Sequence, residues 1–248
     1  MRDFHVHTNF CDGKNSPEEM ITKAIALGIK EIGIVHHSYT EFDDRYCIKK
    51  DRIDEYINLI NELKEKYKKD IKIYCGVEKD FYSDCELSKF DFSIGSVHYV
   101  KKDGVYIEVD ESKEILINAI NNYYAGDVYA LIEDYYQNVG NLVEGQIPTI
   151  IGHFDLISKF NEKGDIFNEN DIRYENAWKK AVDKIIKKVN VFEINFGAIS
   201  RGYRTKPYPN QKQIEYIKSL GGKFVFGSDA HNLNNFSVSI EEYKDLLK

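Results

Sequence analysis

The chain contains seven histidines, and their placement says more about chemistry than their number does. His5 and His7 flank Val6, and residues two apart in an extended strand point to one face, so both imidazoles can address a single point in space. His36 and His37 directly follow the run 31–35, His98 closes Ser93-Ile94-Gly95-Ser96-Val97, and His153 closes Thr149-Ile150-Ile151-Gly152. His231 follows Phe224-Val225-Phe226 through Gly227-Ser228-Asp229-Ala230, and Glu78 completes the apolar run 71–77, so carboxylates arrive as the imidazoles do. One such histidine alone would more often be an ordinary core or surface residue. Recurrence at successive strand ends points instead to a metal site. Nitrogen and oxygen donors without thiolate suit zinc, manganese or iron and do not choose among them. Cys11 reads as a buried thiol rather than a ligand. Two or three neighbouring cations favour phosphate-ester hydrolysis, with amide hydrolysis as the competing use. The discriminator is a cation for the remaining phosphate charge, and Arg201, in Ser200-Arg201-Gly202-Tyr203-Arg204, follows the sixth apolar run at the right place.

Positioning these groups requires a regular scaffold. Short β-type runs fall at 3–6, 31–35, 71–77, 92–97, 149–153, 191–195 and 223–227. Helical spacing separates most of them. Ser16-Pro17-Glu18-Glu19 is a capping box with proline at the first helical position, and Gly28 suits the end of that helix. Ile53, Tyr56, Ile57, Ile60, Leu63 and Tyr67 form an apolar stripe within 51–69. Similar patterns cover 112–124, 127–143, 171–189, 210–220 and 239–247, the last opened by a second capping box from Ser239 to Glu242. Strand–helix alternation of this kind implies a parallel sheet, doubly wound or closed into a barrel, and periodicity does not choose between them. With no repeat, low-complexity tract or linker, one domain over residues 1–248 is the economical reading, with 161–171 expected as a long surface loop.

Composition sets outer bounds. A hydrophobic content of 42%, 30% charged residues and 4 prolines fit a soluble globular protein. There is no apolar run of membrane-spanning length and no apolar stretch after Met1, so the expected location is the cytoplasm. The four cysteines lack a Cys-x-x-Cys pairing and read as reduced thiols. A net charge of -7 opposes non-specific attraction to nucleic acid and favours a small ligand, while bound cations would offset it for an anionic substrate.

The motifs His5-Val6-His7-Thr8, Cys11-Asp12-Gly13, Val35-His36-His37-Ser38, Gly76-Val77-Glu78, Gly95-Ser96-Val97-His98, Gly152-His153-Phe154-Asp155 and Gly227-Ser228-Asp229-Ala230-His231 span essentially the whole chain. In that order they resemble the PHP family, named for members among DNA polymerases and histidinol phosphatases. Tyr135-Tyr136, Glu193-Ile194-Asn195-Phe196-Gly197 and Pro207-Tyr208-Pro209 are most similar to its monofunctional histidinol-phosphate phosphatases. The resemblance implies an α/β fold, a distorted (β/α)7 TIM-like barrel, with a trinuclear site. One cation would take His5, His7, Glu78 and Asp229. Glu78 would bridge to a second held by His98 and His153, and a third would take Asp12, His37 and His231. Two departures bear on the third: the family often has a histidine near Asp12, and an acidic residue where His36 stands. His36 is expected to support the site or contact substrate, and either it or His37 could be the ligand.

The implied reaction is hydrolysis of the small phosphate monoester L-histidinol phosphate, in histidine biosynthesis, with two to three divalent cations. A hydroxide held between cations would attack phosphorus in line with the leaving alkoxide. Arg201 and Lys159 would bind the phosphate, and Asp155 or a histidine near the site would donate a proton to the leaving alcohol. Arg201→Ala is expected to leave metal content intact. A PHP nuclease or nucleotide phosphoesterase, a metal-dependent amidohydrolase and a non-catalytic metal-stabilised module are the alternatives, separable by activity on oligonucleotide ends, by indifference to Arg201 and by absence of hydrolysis in the metal-loaded form.

Overall fold

The computed structural model describes residues 1–236 and 241–247. In chain order it contains β1 (Arg2–Val6), α1 (Pro17–Ala26), β2 (Glu31–Ile34), α2 (Ile53–Tyr67), β3 (Lys72–Asp80), β4 (Phe92–Ser96), β5 (Tyr99–Lys102), β6 (Val105–Glu108), α3 (Lys113–Tyr123), α4 (Val128–Asn141), β7 (Ile150–Ile151), α5 (Ile172–Ile185), β8 (Val191–Asn195), α6 (Gly197–Ser200), α7 (Gln211–Ser219) and β9 (Lys223–Gly227). Seven parallel strands run in the order β1-β2-β3-β4-β7-β8-β9. The sheet curls until its edges meet: His7 N donates to Ala230 O at 2.9 Å, and Ser228 N donates to Asp3 Oδ1 at 3.1 Å. The result is the nearly closed (β/α)7 barrel that the resemblance implies.

Local chemistry explains the elements that matter for the site. The Ser16 side chain accepts from Glu19 N while Glu19 accepts from Ser16 N, so the expected capping box starts α1, and Gly28 follows its last turn at φ 74°. In α2, Tyr56, Ile60 and Leu63 are the buried stripe. The Tyr56 hydroxyl donates to the carbonyls of Ile34 (2.7 Å) and Gly76 (3.0 Å), tying that helix to β2 and β3. Inside the barrel, Phe92, Val35, Ile94 and Ile150 pack with Phe4 and Tyr74. Phe92 lies against Gly33 and Gly76, where an added Cβ would come within 2.5 and 2.3 Å of its ring, so those two positions admit no side chain. This apolar plug fills one end of the barrel and leaves the C-terminal strand ends to polar residues.

Four parts of the chain differ from the sequence expectation. The antiparallel hairpin β5–β6 was not anticipated, although Asp103 (φ 49°) and Gly104 (φ 83°) form the left-handed two-residue turn that Asp-Gly favours. Strand β3 extends to Asp80, because its ladder with β4 continues through Asp80↔Ser96, while β7 is only Ile150–Ile151. In place of a helix over 239–247, the described part has a 3-10 turn at Glu241–Tyr243; the Ser239 cap lies outside the described residues. Among the described residues no helix is long and apolar enough to cross a membrane.

Candidate active site

Glu78 is the hub at the C-terminal strand ends. Its Oε2 lies 3.3 Å from both His5 Nε2 and His7 Nε2, and 2.9 Å from His37 Nδ1. Its Oε1 lies 2.8 Å from His153 Nε2 and 3.5 Å from His98 Nε2. Asp229 Oδ1 approaches His5 and His7 at 3.8 and 3.7 Å, and those two imidazole nitrogens are 3.0 Å apart. Asp12 meets His231 Nε2 at 3.1 Å and His37 Nε2 at 3.5 Å. Three overlapping groups of donors could therefore each hold a cation: His5, His7 and Asp229; His37, Glu78 and His98; and His7, Asp12, His37 and His231. His37 touches both of the last two groups through its two ring nitrogens.

The donor set fits cations on electrostatic grounds. Glu78 Oε2 and Asp12 Oδ1 are buried without a hydrogen-bond donor among the described residues. Burial acts to raise the Glu78 carboxyl, but His5, His37 and His98 outweigh it and hold it well below the usual range. Burial likewise opposes ionisation of Asp229, and Arg201, His5 and His231 reverse that. His7 is driven well below its ordinary value by burial and by the neighbouring His231 and His37 rings, which leaves the imidazole neutral. Cys11 Sγ sits 3.3 Å from His7 Nδ1, and burial pushes its thiol far up, so it is a protonated neighbour.

Strand parity separates the two adjacent histidines. Gly33, Val35 and His37 share the barrel interior, whereas Ile32, Ile34 and His36 face the helices. His36 is fully buried, edge-on to Tyr56 at 4.7 Å, with its pKa pushed down to about 4 by burial. The expectation that His36 contacts substrate is therefore corrected: it supports His37 from behind, its Nδ1 3.0 Å from the His37 carbonyl.

Asp155 is also corrected. It follows His153 but turns away from the cavity and accepts hydrogen bonds from the buried hydroxyls of Tyr136 and Tyr174, the latter at 2.9 Å. Burial raises it to about 6, yet it is not among the residues that line the cavity.

Above the donor cluster opens a cavity of about 450 Å³. Arg201 and Lys159 both line it. Arg201 Nη2 donates to Asp229 Oδ2 at 3.0 Å, and its Nε–H is buried without an acceptor among the described residues. Asp229 adopts φ 51°, a strained conformation for a non-glycine residue. Gly197 makes room for the pair, since a Cβ there would come within 2.3 Å of Asp229 Oδ2. Arg201 therefore touches one of the candidate metal-holding carboxylates, which makes metal content as well as turnover a readout for its removal. Lys159 Nζ donates to Asp110 O at 2.6 Å and stands over the Tyr203 ring at 4.9 Å. The opposite wall comes from the unanticipated hairpin and the loop after β2, with Asp43, Tyr46, Tyr99, Glu108 and Glu111 among its residues.

Two further residues, Asp80 and Glu193, carry no role in the sequence expectation. Asp80 Oδ2 lies 3.2 Å from His98 Nδ1, and Glu193 Oε1 lies 2.6 Å from His5 Nδ1. The signal that could have found them is parity, since Asp80 is two residues beyond Glu78, and Glu193 shares its strand face with Asn195 beside Phe192 and Ile194.

Comparison with known proteins places this geometry. The histidinol-phosphatase of Lactococcus lactis is 28% identical over 99% of this chain and 90% of its own length. That of Bacillus subtilis is 24% identical over 98% and 97%. Among solved structures, a Listeria monocytogenes protein described as a candidate histidinol phosphatase superposes with a TM-score of 0.81 at 22% identity, covering 98% of this chain and 100% of that one. The histidinol phosphate phosphatase of Lactococcus lactis, solved with zinc, L-histidinol and phosphate, superposes with a TM-score of 0.62 at 22% identity, over 94% and 86% of the two chains. A sequence model of the PHP domain matches residues 3–196, a stretch that carries every strand end from His5 to His153, and the chain belongs to that family.

Proposed function

We propose that this chain is a metal-dependent phosphomonoesterase that hydrolyses L-histidinol phosphate to L-histidinol and inorganic phosphate. The observation that carries this reading is the cavity itself: Asp12, His37, His98, His153, Asp229 and His231 of the donor cluster line it, and so does Arg201, whose buried Nε–H has no acceptor among the described residues. A phosphoryl group is the ligand that satisfies both at once. The names shared by the full-length relatives support the substrate, and the zinc of the Lactococcus lactis complex supports the cofactor.

In this reading two to three divalent cations, zinc, manganese or iron, are held by His5, His7, Glu78 and Asp229, by Glu78, His98 and His153, and by Asp12, His37 and His231. When bound, such ions supply Lewis-acid stabilisation of phosphoryl oxygens and lower the pKa of water. The chain's own groups do the rest. Arg201 binds a phosphate oxygen while holding Asp229, and Lys159 adds a second positive charge from a site anchored on Asp110. Asp43, Glu108 and Glu111 with Tyr46 and Tyr99 give the far wall acidic and aromatic character, which suits an ammonium and an imidazole.

The test is phosphate release from L-histidinol phosphate against a panel of phosphomonoesters and a short oligonucleotide, with metal content measured on the same preparation. Strong preference for histidinol phosphate with two to three ions per chain is expected. Equal or better turnover of the other esters or of oligonucleotide ends would reassign the substrate within the family.

A further inference from the structure

We propose that Glu193 is a positioning residue of the metal centre: it sets the tautomer of His5 and ties that imidazole to the backbone that delivers His153. The inference rests on the metal reading above and goes beyond it, because Glu193 belongs to none of the donor groups.

Glu193 is 1% exposed, and its two carboxylate oxygens serve different strands. Oε1 lies 2.6 Å from His5 Nδ1. Oε2 accepts from the His153 backbone N at 2.8 Å and from Asn195 Nδ2 at 3.0 Å. A carboxylate beside Nδ1 keeps the ring proton there, so the lone pair of Nε2 stays free on the side where His7, Glu78 and Asp229 converge. Without Glu193 the proton can move to Nε2 and block the ligand atom, and the ring is free to rotate. The backbone bond to His153 makes the same carboxylate a strut between two of the donor positions.

The surrounding sequence is cut to fit this group. A Cβ at Gly227 would come within 1.7 Å of Glu193 Oε1, so the neighbouring strand leaves that space to the carboxylate. Asn195, which donates to Glu193, also accepts from Gly197 N at 2.9 Å, linking the strut to the turn that carries Arg201. A glutamine at 193 would have one acceptor oxygen for donors that now use two, so the isosteric variant loses part of the arrangement.

The experiment uses the zinc-loaded protein with two readouts: zinc affinity by chelator competition, and His5 nitrogen shifts by long-range proton–nitrogen correlation. In the wild type, His5 is expected to coordinate through Nε2 and keep its Nδ1 proton. Coordination through Nδ1 would overturn the proposal without any variant. Glu193→Gln is expected to weaken the tightest zinc site by about 10- to 100-fold. Gly227→Ala, which keeps the carboxylate but pushes it off His5, should reproduce that loss, and Glu193→Asp should restore part of it. If Glu193→Gln and Gly227→Ala lower only the melting temperature and leave zinc affinity and the His5 signals unchanged, Glu193 is merely structural and the inference fails. A wild type that binds no zinc would instead remove the metal reading on which it rests.

Discussion

Two polar networks meet at residues 153–155, one through the His153–Glu78 contact and the other through Asp155, and they differ in what surrounds their carboxylates. Around Glu78, Asp12 and Asp229 the neighbours are imidazole rings and one guanidinium, and oxygens of Glu78 and Asp12 are left without a donor. Around Asp155 the neighbours are hydroxyls: Tyr136 and Tyr174 donate to it, and Gln213 Nε2 donates to both tyrosines at 3.1 and 3.2 Å. The second network is complete and joins α4, α5 and α7 to the segment after His153. The first is incomplete within the protein. A closed polar network specifies packing, whereas an open one with ligand-type atoms is poised for something the chain does not itself contain.

That contrast breaks if substitutions in the two clusters behave alike. The largest effect is expected at the hub. Glu78→Gln should lower kcat/KM by about 10³-fold or more, with loss of bound metal, because one carboxylate serves more than one donor group. Phosphate release and metal analysis on one preparation check this, and retained metal with near-normal turnover would remove Glu78 from its central place.

Arg201→Ala comes next, with an expected loss of about 10²- to 10³-fold in kcat/KM. Its ion pair with Asp229 adds a second consequence, weaker metal retention during dialysis, and metal content equal to wild type would show that Asp229 stands without its partner.

Across the divide, Asp155→Asn should leave kcat within a factor of about 2 while costing about 1–3 kcal/mol of stability through the disrupted buried network, read from denaturant unfolding. A hundredfold fall in kcat with unchanged stability would return Asp155 to the reaction. The smallest effect is expected for Tyr174→Phe, which removes one donor from a shared acceptor and should cost about 1 kcal/mol with no change in kcat or metal content.

The two clusters were not equally legible in the amino-acid sequence. His5, His7, Glu78, His98, His153, Asp229 and His231 were readable as candidate donors because ligand chemistry is carried by residue type and short apolar runs mark the strand ends that bear them, whereas Asp12 entered only through the family resemblance. The choice between His36 and His37 was readable in principle as well: alternate residues on a strand face opposite sides, and Val35 and His37 fall on the side away from Ile34 and Tyr56. The hairpin β5–β6 was harder to read although Asp103-Gly104 marks its turn, because two four-residue antiparallel strands carry neither the apolar run nor the following helix that announces a parallel strand–helix unit.

Asp155 and Glu193 mark the limit. Both are acidic, both are buried, and Asp155 has the more suggestive sequence neighbour in His153. Their roles depend on which atoms they meet across the barrel, and for Glu193 the partner is 188 residues away. The sequence by itself determined the donor types, their order along the chain and the alternation that delivers them, since all are local properties of residue type and spacing. Only the tertiary structure decided which carboxylates face the imidazole cluster, which face tyrosines and how the barrel closes through Ala230, because those outcomes depend on the curvature of the sheet and on contacts between distant strands.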